Sequence, residues 1–284
     1  MKQLPPASVI VTSYNDLKIL PATLAALACQ SDPNFEVVIA DDGSQEDYAP
    51  LLREWAPRFA HGVHHVRHAD EEFRRARILN RGILVSRFDR VIFMDADCLP
   101  HRLFVENHVK YLKPGVGITG RRTHIRREVV RAPEEILARG LGLSPARLLS
   151  LWLRGKARVI EHGFVSPILY EASYNALLGS NHSVRREDIL KINGYNEEYV
   201  GYGWEDCDFE LRLQRMGVVF RNLRNKVVQY HVMHTQRGEQ DERNLRLFEG
   251  AKASAEFRSL HGLAEIQASD FQHVHYGCAM DMDA

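Results

Sequence analysis

Very little in this chain points away from an ordinary globular interior. Only four of its 284 residues are cysteines: Cys29, Cys98, Cys207 and Cys278. No two form a Cys-x-x-Cys pair, so no disulfide framework is indicated and free thiols in a reducing compartment are expected. No apolar run approaches the roughly 20 residues needed to span a bilayer. The segment Met1 to Pro6 lacks the basic-then-apolar pattern of an export signal. These absences predict a cytoplasmic protein, peripheral at most to the inner membrane face. Net charge is also missing, since Lys+Arg and Asp+Glu stand at 37 each. That balance disfavours a dedicated nucleic-acid binder, which carries a basic excess. There is no internal repeat, and no Gly-x-Gly-x-x-Gly follows the first apolar run, which disfavours a dinucleotide oxidoreductase.

What is present is a regular alternation. Val9 to Val11, Phe35 to Ala40, Val63 to Val66, Val91 to Met94 and Val116 to Thr119 read as strands. Between them Leu17 to Ala28, Tyr48 to Phe59, Phe73 to Val85 and Leu103 to Leu112 read as helices, with Leu20, Leu24 and Leu27 at helical spacing. Strands alternating with helices predict an α/β fold around a mostly parallel sheet. Such sheets bind ligands beyond the C-terminal ends of their strands. There the chain carries Thr12-Ser13-Tyr14-Asn15, Asp41-Asp42-Gly43-Ser44, His68 to Phe73 and Asp95-Ala96-Asp97. His64, His65 and His68 read as surface or loop residues.

The second half departs from that rhythm. Residues 121–158 hold ten Arg or Lys against three Glu, interleaved with leucines and Trp152. The plain reading is a solvated helical insertion covering the sheet, and a basic amphipathic stretch also suits an anionic membrane surface. Gly179-Ser180-Asn181 reads as a turn, Arg186 to Ile192 as a short helix, Cys207 to Met216 as a longer one, and Glu239 to Arg258 as a charged surface helix. The tail after Glu265 is either disordered or a cover for the site. The expected layout is one domain: 1–120 for a nucleotide-binding half, 121–170 for the insertion, 171–240 for a catalytic half, and 241–284 for a helix and tail.

Four features can carry chemistry. Asp95-Ala96-Asp97 ends an apolar strand, and two carboxylates there suit a hard divalent cation able to bridge phosphates. Asp97 as a helix N-cap is the structural alternative. His231 and His234 follow another strand, and imidazole with carboxylate suits Mn²⁺ better than Mg²⁺. Glu205-Asp206 opens a helix after a Gly/aromatic loop, which fits simple capping and also a general base on a glycine-hinged loop. Tyr202 and Trp204 in that loop could stack on a sugar or pack a lid. Phe73-Arg74-Arg75-Ala76 sets arginines at a helix start, where the dipole disfavours them but a phosphate would not.

Together these motifs resemble the family-2 glycosyltransferases with the GT-A fold. Val9-Ile10-Val11-Thr12-Ser13-Tyr14-Asn15 looks like their first nucleotide-binding strand and loop, Asp41-Asp42-Gly43-Ser44 like their second, and Asp95-Ala96-Asp97 like their metal motif. Phe73-Arg74-Arg75-Ala76 and Gly201-Tyr202-Gly203-Trp204-Glu205-Asp206-Cys207-Asp208 resemble the β-1,4-galactosyltransferase and chondroitin-polymerase branch. The resemblance runs from about residue 7 to about residue 236, less the basic insertion. It implies that Thr12, Tyr14 and Asp42 hold uracil and ribose, and that Arg75, with Arg74, contacts the base or diphosphate. It implies that Asp97 binds metal with His234, that Asp95 bonds ribose or metal waters, and that His231 stands where galactosyltransferases carry methionine. Asp206 matches the catalytic base and Glu205 would orient the acceptor. Tyr202 replaces a tryptophan, Trp204 a glycine and Cys207 an acid, which bears on acceptor identity.

The activity so implied is inverting, metal-dependent (Mn²⁺ or Mg²⁺) transfer of a hexose or N-acetylhexosamine from a UDP-sugar to a glycan or lipid-linked glycan hydroxyl. The alternatives are a retaining enzyme of the polypeptide N-acetylgalactosaminyl type and a non-catalytic nucleotide-sugar-binding subunit. The resemblance names no donor sugar, acceptor or oligomeric state.

Overall fold

The computed structural model describes residues 4–158, 177–224, 226–234 and 240–277. In chain order the first half contributes β1 (Ala7–Ser13), α1 (Leu20–Ala28), β2 (Phe35–Asp41), α2 (Ala49–Trp55), β3 (Val63–Arg67), α3 (Arg75–Val85), β4 (Arg90–Asp95), β5 (Cys98–Pro100), α4 (Phe104–Tyr111) and β6 (Val116–Thr119). The remainder contributes β7 (Arg121–Ile125), α5 (Pro133–Arg139), α6 (Pro145–Leu153), β8 (Ala157–Arg158), β9 (Asn181–Arg185), α7 (Arg186–Lys191), α8 (Glu205–Arg215), β10 (Val219–Asn222), β11 (Val228–Val232), α9 (Glu242–Ala253) and β12 (Gln272–Tyr276). An eight-stranded sheet runs β10-β6-β9-β4-β1-β2-β3-β12, and a second sheet runs β5-β11-β7-β8.

The inner strands are apolar on both faces because both faces are covered. Val9, Val11, Val37, Ile39, Ile92 and Met94 point into one core cluster. Their neighbours Ile10, Val38, Ala40, Val91 and Phe93 point into the other. That is the two-residue side-chain alternation of a strand with helices on either side. Parallel register aligns Thr12 with Ala40 on one side and with Asp95 on the other, and Ser13 with Asp41. The polar loops after β1, β2 and β4 therefore open at one edge of the sheet.

The α/β class and the helix-flanked central sheet agree with the sequence reading, and the sheet is mixed. β4·β9, β6·β9 and β3·β12 are antiparallel. Three local expectations are corrected. The basic segment opens as β7, a strand parallel to β11, before its helices begin, and residues 159–170 of the expected insertion lie outside the described residues. His64 and His68 are buried, each 5% exposed. His64 Nε2 faces Glu36 Oε2 at 3.3 Å and His68 Nε2 is 2.7 Å from Asp42 Oδ1. The tail forms β12 against the β3 edge, with His64 Nδ1 2.9 Å from His273 Nε2. Cys278 lies outside the described residues.

Candidate active site

The nucleotide-side residues gather after β1 and β2. Asp42 is 3% exposed. Its Oδ1 is engaged by His68, and its Oδ2 accepts from the Arg74 backbone N–H at 3.0 Å. A buried carboxylate needs such partners, because desolvation without them is costly. Gly43 makes this corner possible. Its φ is +86°, and a Cβ there would stand 2.5 Å from Asp70 Cα. Tyr14 donates its hydroxyl to Asp70 Oδ2 at 3.3 Å. Thr12 Oγ1 is buried with no hydrogen-bond partner among the described residues, an orphan at the sheet edge that a ligand could satisfy.

The three metal candidates converge from the β4–β5 turn and the end of β11. Asp97 follows β4 and is tied to β11 by a bond from the Val232 N–H to the Asp97 carbonyl at 2.9 Å. His231 lies within β11 itself, which runs on to Val232, whereas the sequence pattern placed both histidines after the strand. Asp97 Oδ2 is 2.9 Å from His234 Nε2 and 3.4 Å from His231 Nε2. The ligand atoms of these three residues lie within 4.8 Å of one another. Burial pushes the Asp97 carboxyl up, but its bonds to the two imidazoles outweigh that and hold it well below the usual range. One carboxylate with two imidazoles is a donor set that fits Mn²⁺. Cys98 lies close as well, and burial raises its thiol far above its ordinary range.

His124 was missed in the sequence. It sits in β7 directly across from His231, and the two Nδ1 atoms are 3.1 Å apart. That contact engages His231 Nδ1 and leaves Nε2 facing Asp97, as a partner behind a ligating histidine does. Burial, followed by the charge of Arg122, pushes His124 down to about 4, so it is neutral.

Between the two groups stands an ion cluster built on Arg75, the first residue of α3. It is 8% exposed. Its Nη1 donates to Asp206 Oδ1 at 2.9 Å and to Glu205 Oε1 at 3.3 Å. Its Nη2 donates to the Gly179 carbonyl at 3.0 Å and to Asp95 Oδ1 at 3.4 Å. Burial opposes its charge, but the three carboxylates hold it firmly protonated. Arg74, its neighbour, turns outward and donates to the Glu71 carbonyl. Burial raises the Asp95 carboxyl. Burial and then the Asp206 charge push Glu205 up to about 7, with Arg75 opposing. Glu205 Oε2 is a second buried oxygen without a partner among the described residues.

Glu205 and Asp206 open α8, whose positive end favours acids. The loop before it is conformationally forced. Gly201 and Gly203 have φ of +83° and +102°, and Trp204 itself has φ +75°, a left-handed geometry that costs a bulky residue about 1–2 kcal/mol. Trp204 stacks on Phe248 of α9 at 5.2 Å, so one ring face is already covered. Tyr202 is 39% exposed and is the aromatic left facing outward. Gly179 supplies the opposite wall. A Cβ on it would lie 1.7 Å from Asp206 Oδ2, so the absent side chain makes the room that the carboxylate occupies.

A family model described as glycosyl transferase family 2 matches residues 8–165, more than half of the chain. This protein belongs to that family. A second model, described as the N-terminal domain of galactosyltransferase, matches residues 162–236. The hyaluronan synthase of Pasteurella multocida is 27% identical over 238 residues, 79% of this chain and 24% of its own length. The chondroitin synthase of Escherichia coli is 26% identical over 237 residues, 79% of this chain and 34% of its own. The family-2 chain thus spans about a quarter to a third of these relatives. Among solved structures, S. aureus TarS 1-349 in complex with UDP-GlcNAc aligns with a TM-score of 0.60 at 15% identity, over 87% of this chain and 66% of that one. The mannosyltransferase PcManGT of Pyrobaculum calidifontis, in complex with GDP-Man and Mn²⁺, aligns with a TM-score of 0.55 at 19% identity, over 89% and 70%. These likenesses establish the GT-A glycosyltransferase fold, and the family makes the chain a glycosyltransferase.

Proposed function

We propose that this family-2 glycosyltransferase moves a hexose or N-acetylhexosamine from a UDP-sugar to a glycan hydroxyl, by a single in-line displacement that inverts the anomeric centre. The observation carrying this reading is the sheet edge that gathers the Asp97–His231–His234 donor set and the Arg75–Asp95–Glu205–Asp206 cluster. Asp42 and Thr12 line its nucleotide side, where Thr12, Tyr14 and Asp42 would take the ribose and base. TarS structures with UDP-GlcNAc and UDP support a uridine donor, and the synthases among the relatives support a glycan acceptor.

Asp206 takes the proton of the attacking hydroxyl. It is preferred to Glu205 because its side chain is 22% exposed against 7%, so it is the acid that an acceptor can reach. Glu205 orients the acceptor beside it, with Tyr202 as the stacking surface. Both Nη groups of Arg75 are engaged by carboxylates and a carbonyl, so its part is to hold the acidic pair and Asp95 rather than to read the base. Arg74 is the arginine with freedom to meet a phosphate. Asp97, His234 and His231 would hold Mn²⁺, or Mg²⁺, with Asp95 bonding the ribose or metal waters. A bound ion would offset charge developing on the departing diphosphate.

The chain reads as one catalytic domain in which 1–120 serves the donor and 171–240 serves catalysis. Among the described residues no helix is long and apolar enough to cross a membrane. Helix α6 leaves Leu149, Trp152 and Leu153 at 45%, 47% and 72% exposure, flanked by exposed Arg147 and Arg154. An apolar face edged with cations suits peripheral contact with an anionic, inner-leaflet surface near a lipid-linked acceptor.

The test is Asp206→Asn. General-base help is worth roughly 10²–10⁴-fold, so transfer falls by that factor while UDP binding persists. Transfer within a few-fold of the unaltered protein would remove Asp206 from the role. Anomeric analysis of the product separates inversion from the retaining alternative.

A further inference from the structure

Behind Asp206, away from the open side, lies a buried pair that the catalytic reading does not use. His182 of β9 is fully buried and stacks on Phe93 with ring centroids 4.5 Å apart. Its Nδ1 is 3.1 Å from the carbonyl oxygen of Leu178. A carbonyl only accepts, so Nδ1 carries the proton. Burial holds the ring neutral, pushing it down to about 4. A neutral imidazole has a single N–H, so Nε2 can only accept. Its partner is the Tyr195 hydroxyl at 3.0 Å, and Tyr195 must therefore be the donor.

Tyr195 is equally fixed. It is fully buried and lies flat on Phe209, with centroids 4.1 Å apart and planes 5° from parallel. Burial first, then the nearby Asp206 charge, raises its phenol well above the ordinary range, so it keeps its proton. That proton is directed at His182. The phenol oxygen also stands 3.4 Å from Asp206 Oδ1, within hydrogen-bond reach, but its single proton serves the shorter contact, 3.0 Å to His182 Nε2, and what is left for Asp206 is the oxygen. Against an ionised carboxylate this is a lone pair facing a lone pair. Against a protonated carboxyl it is a ready acceptor.

We propose that Tyr195, oriented by His182, is a positioning residue that accepts a hydrogen bond from Asp206 once Asp206 has taken the acceptor's proton. This rests on Asp206 being the base. In the step, the acceptor oxygen bonds to the anomeric carbon and the bond from that carbon to the diphosphate oxygen breaks, the leaving group keeping the pair. The hydroxyl proton passes to Asp206 and stays there, bonded toward Tyr195, until solvent removes it. The Tyr195 proton remains on its own oxygen throughout, pointed at His182. Arg75, Glu205, Asp95 and Glu210 are other charged groups around Asp206, and none of them offers it an oxygen backed by a neutral acceptor.

The experiment compares Tyr195→Phe, His182→Gln and His182→Leu in steady-state transfer with a UDP-sugar and a sugar acceptor. Losing one hydrogen bond that forms as the proton reaches Asp206, and is absent in the ground state, lowers kcat roughly 5- to 10-fold and leaves both KM values unchanged. Glutamine offers its amide oxygen where Nε2 stands, so His182→Gln keeps most of kcat, while His182→Leu frees the tyrosine proton to pin the carboxylate and falls to the Tyr195→Phe level. The idea is overturned if Tyr195→Phe keeps kcat within twofold, if KM moves with kcat, or if the glutamine and leucine variants match. Asp206→Asn run alongside separates the two claims. If it stays active, the base assignment itself is lost; if it is dead while Tyr195→Phe is unaffected, only the positioning role is lost.

Discussion

Gly179→Ala is the sharpest perturbation of this site, because one methyl group tests where the base must stand. Gly179 lies in the turn before β9, and it is not among the glycines with positive φ. Alanine is therefore compatible with its backbone, and the strain falls on what the methyl meets. The new Cβ would be 1.7 Å from Asp206 Oδ2, 2.5 Å from Cγ and 2.9 Å from Oδ1. Carbon and oxygen need roughly 3.4 Å, so the carboxylate must retreat by about 1.7 Å. It is the end of a short side chain, so it can swing without unfolding the protein, but the swing breaks the 2.9 Å contact with Arg75. A misplacement of about 1 Å costs roughly 10²-fold in a positioned reaction. The expected result is kcat at least ~100-fold lower, with UDP affinity and melting temperature close to those of the parent. Steady-state transfer and calorimetric UDP titration read both. A kcat within a few-fold of the parent would mean that Asp206 is not the group whose position sets the rate.

Other outcomes follow from the same geometry. His68→Ala removes the buried partner of Asp42 and should weaken UDP binding about 5- to 30-fold, since the carboxylate loses one of its two fixed contacts; unchanged affinity in titration would separate Asp42 from the donor site. His108 and His182 are buried neutral, their pKa values pushed by burial to about 3 and about 4 from an ordinary 6.5. The unfolded chain binds protons that the folded one refuses, so stability is full above about 6.5 and falls as pH drops toward 4, by about 1.4 kcal/mol per unit for each histidine. Denaturant melts at pH 7 and pH 5 should show the loss, and equal stability at both would contradict the buried neutral state. Trp152→Ser with Leu153→Ser should abolish sedimentation with vesicles of anionic lipid while leaving transfer to a soluble acceptor intact, and equal sedimentation of parent and variant would disprove the α6 contact.

The parallel half of the fold was legible because its strands are apolar on both faces and end in turn chemistry, as in Val91 to Met94 followed by Asp95-Ala96-Asp97. The motif residues were legible for the same reason, being fixed to strand ends. What stayed hidden was pairing that follows no hydrophobic signal. β9 reads as polar, yet Asn181, His182 and Ser183 are all fully buried, because hydrogen bonds satisfy them: His108 bonds Ser183 and Asn181 at 2.9 and 3.1 Å. β7 reads Arg-Arg-Thr-His-Ile, with a single apolar residue to mark it, and only its register with β11 brings His124 to His231. β5 has three residues, too few to show a period. Tyr195 and His182 lie 13 residues apart with no pattern joining them, and Gly179 looks like any turn glycine until the Asp206 carboxylate is placed against it. Arg75 was found as a helix-start arginine, but its contact with three carboxylates depends on the ends of β4 and α8 meeting, which spacing does not reveal.

Calorimetric titration with UDP, in the presence and absence of Mn²⁺, decides whether the donor site is built on a metal. Binding should be tight only with the ion, lost in Asp97→Ala and His234→Ala, and kept in Asp206→Asn. Binding that is indifferent to Mn²⁺, or that survives the loss of Asp97, would contradict a metal-dependent donor site built on these residues.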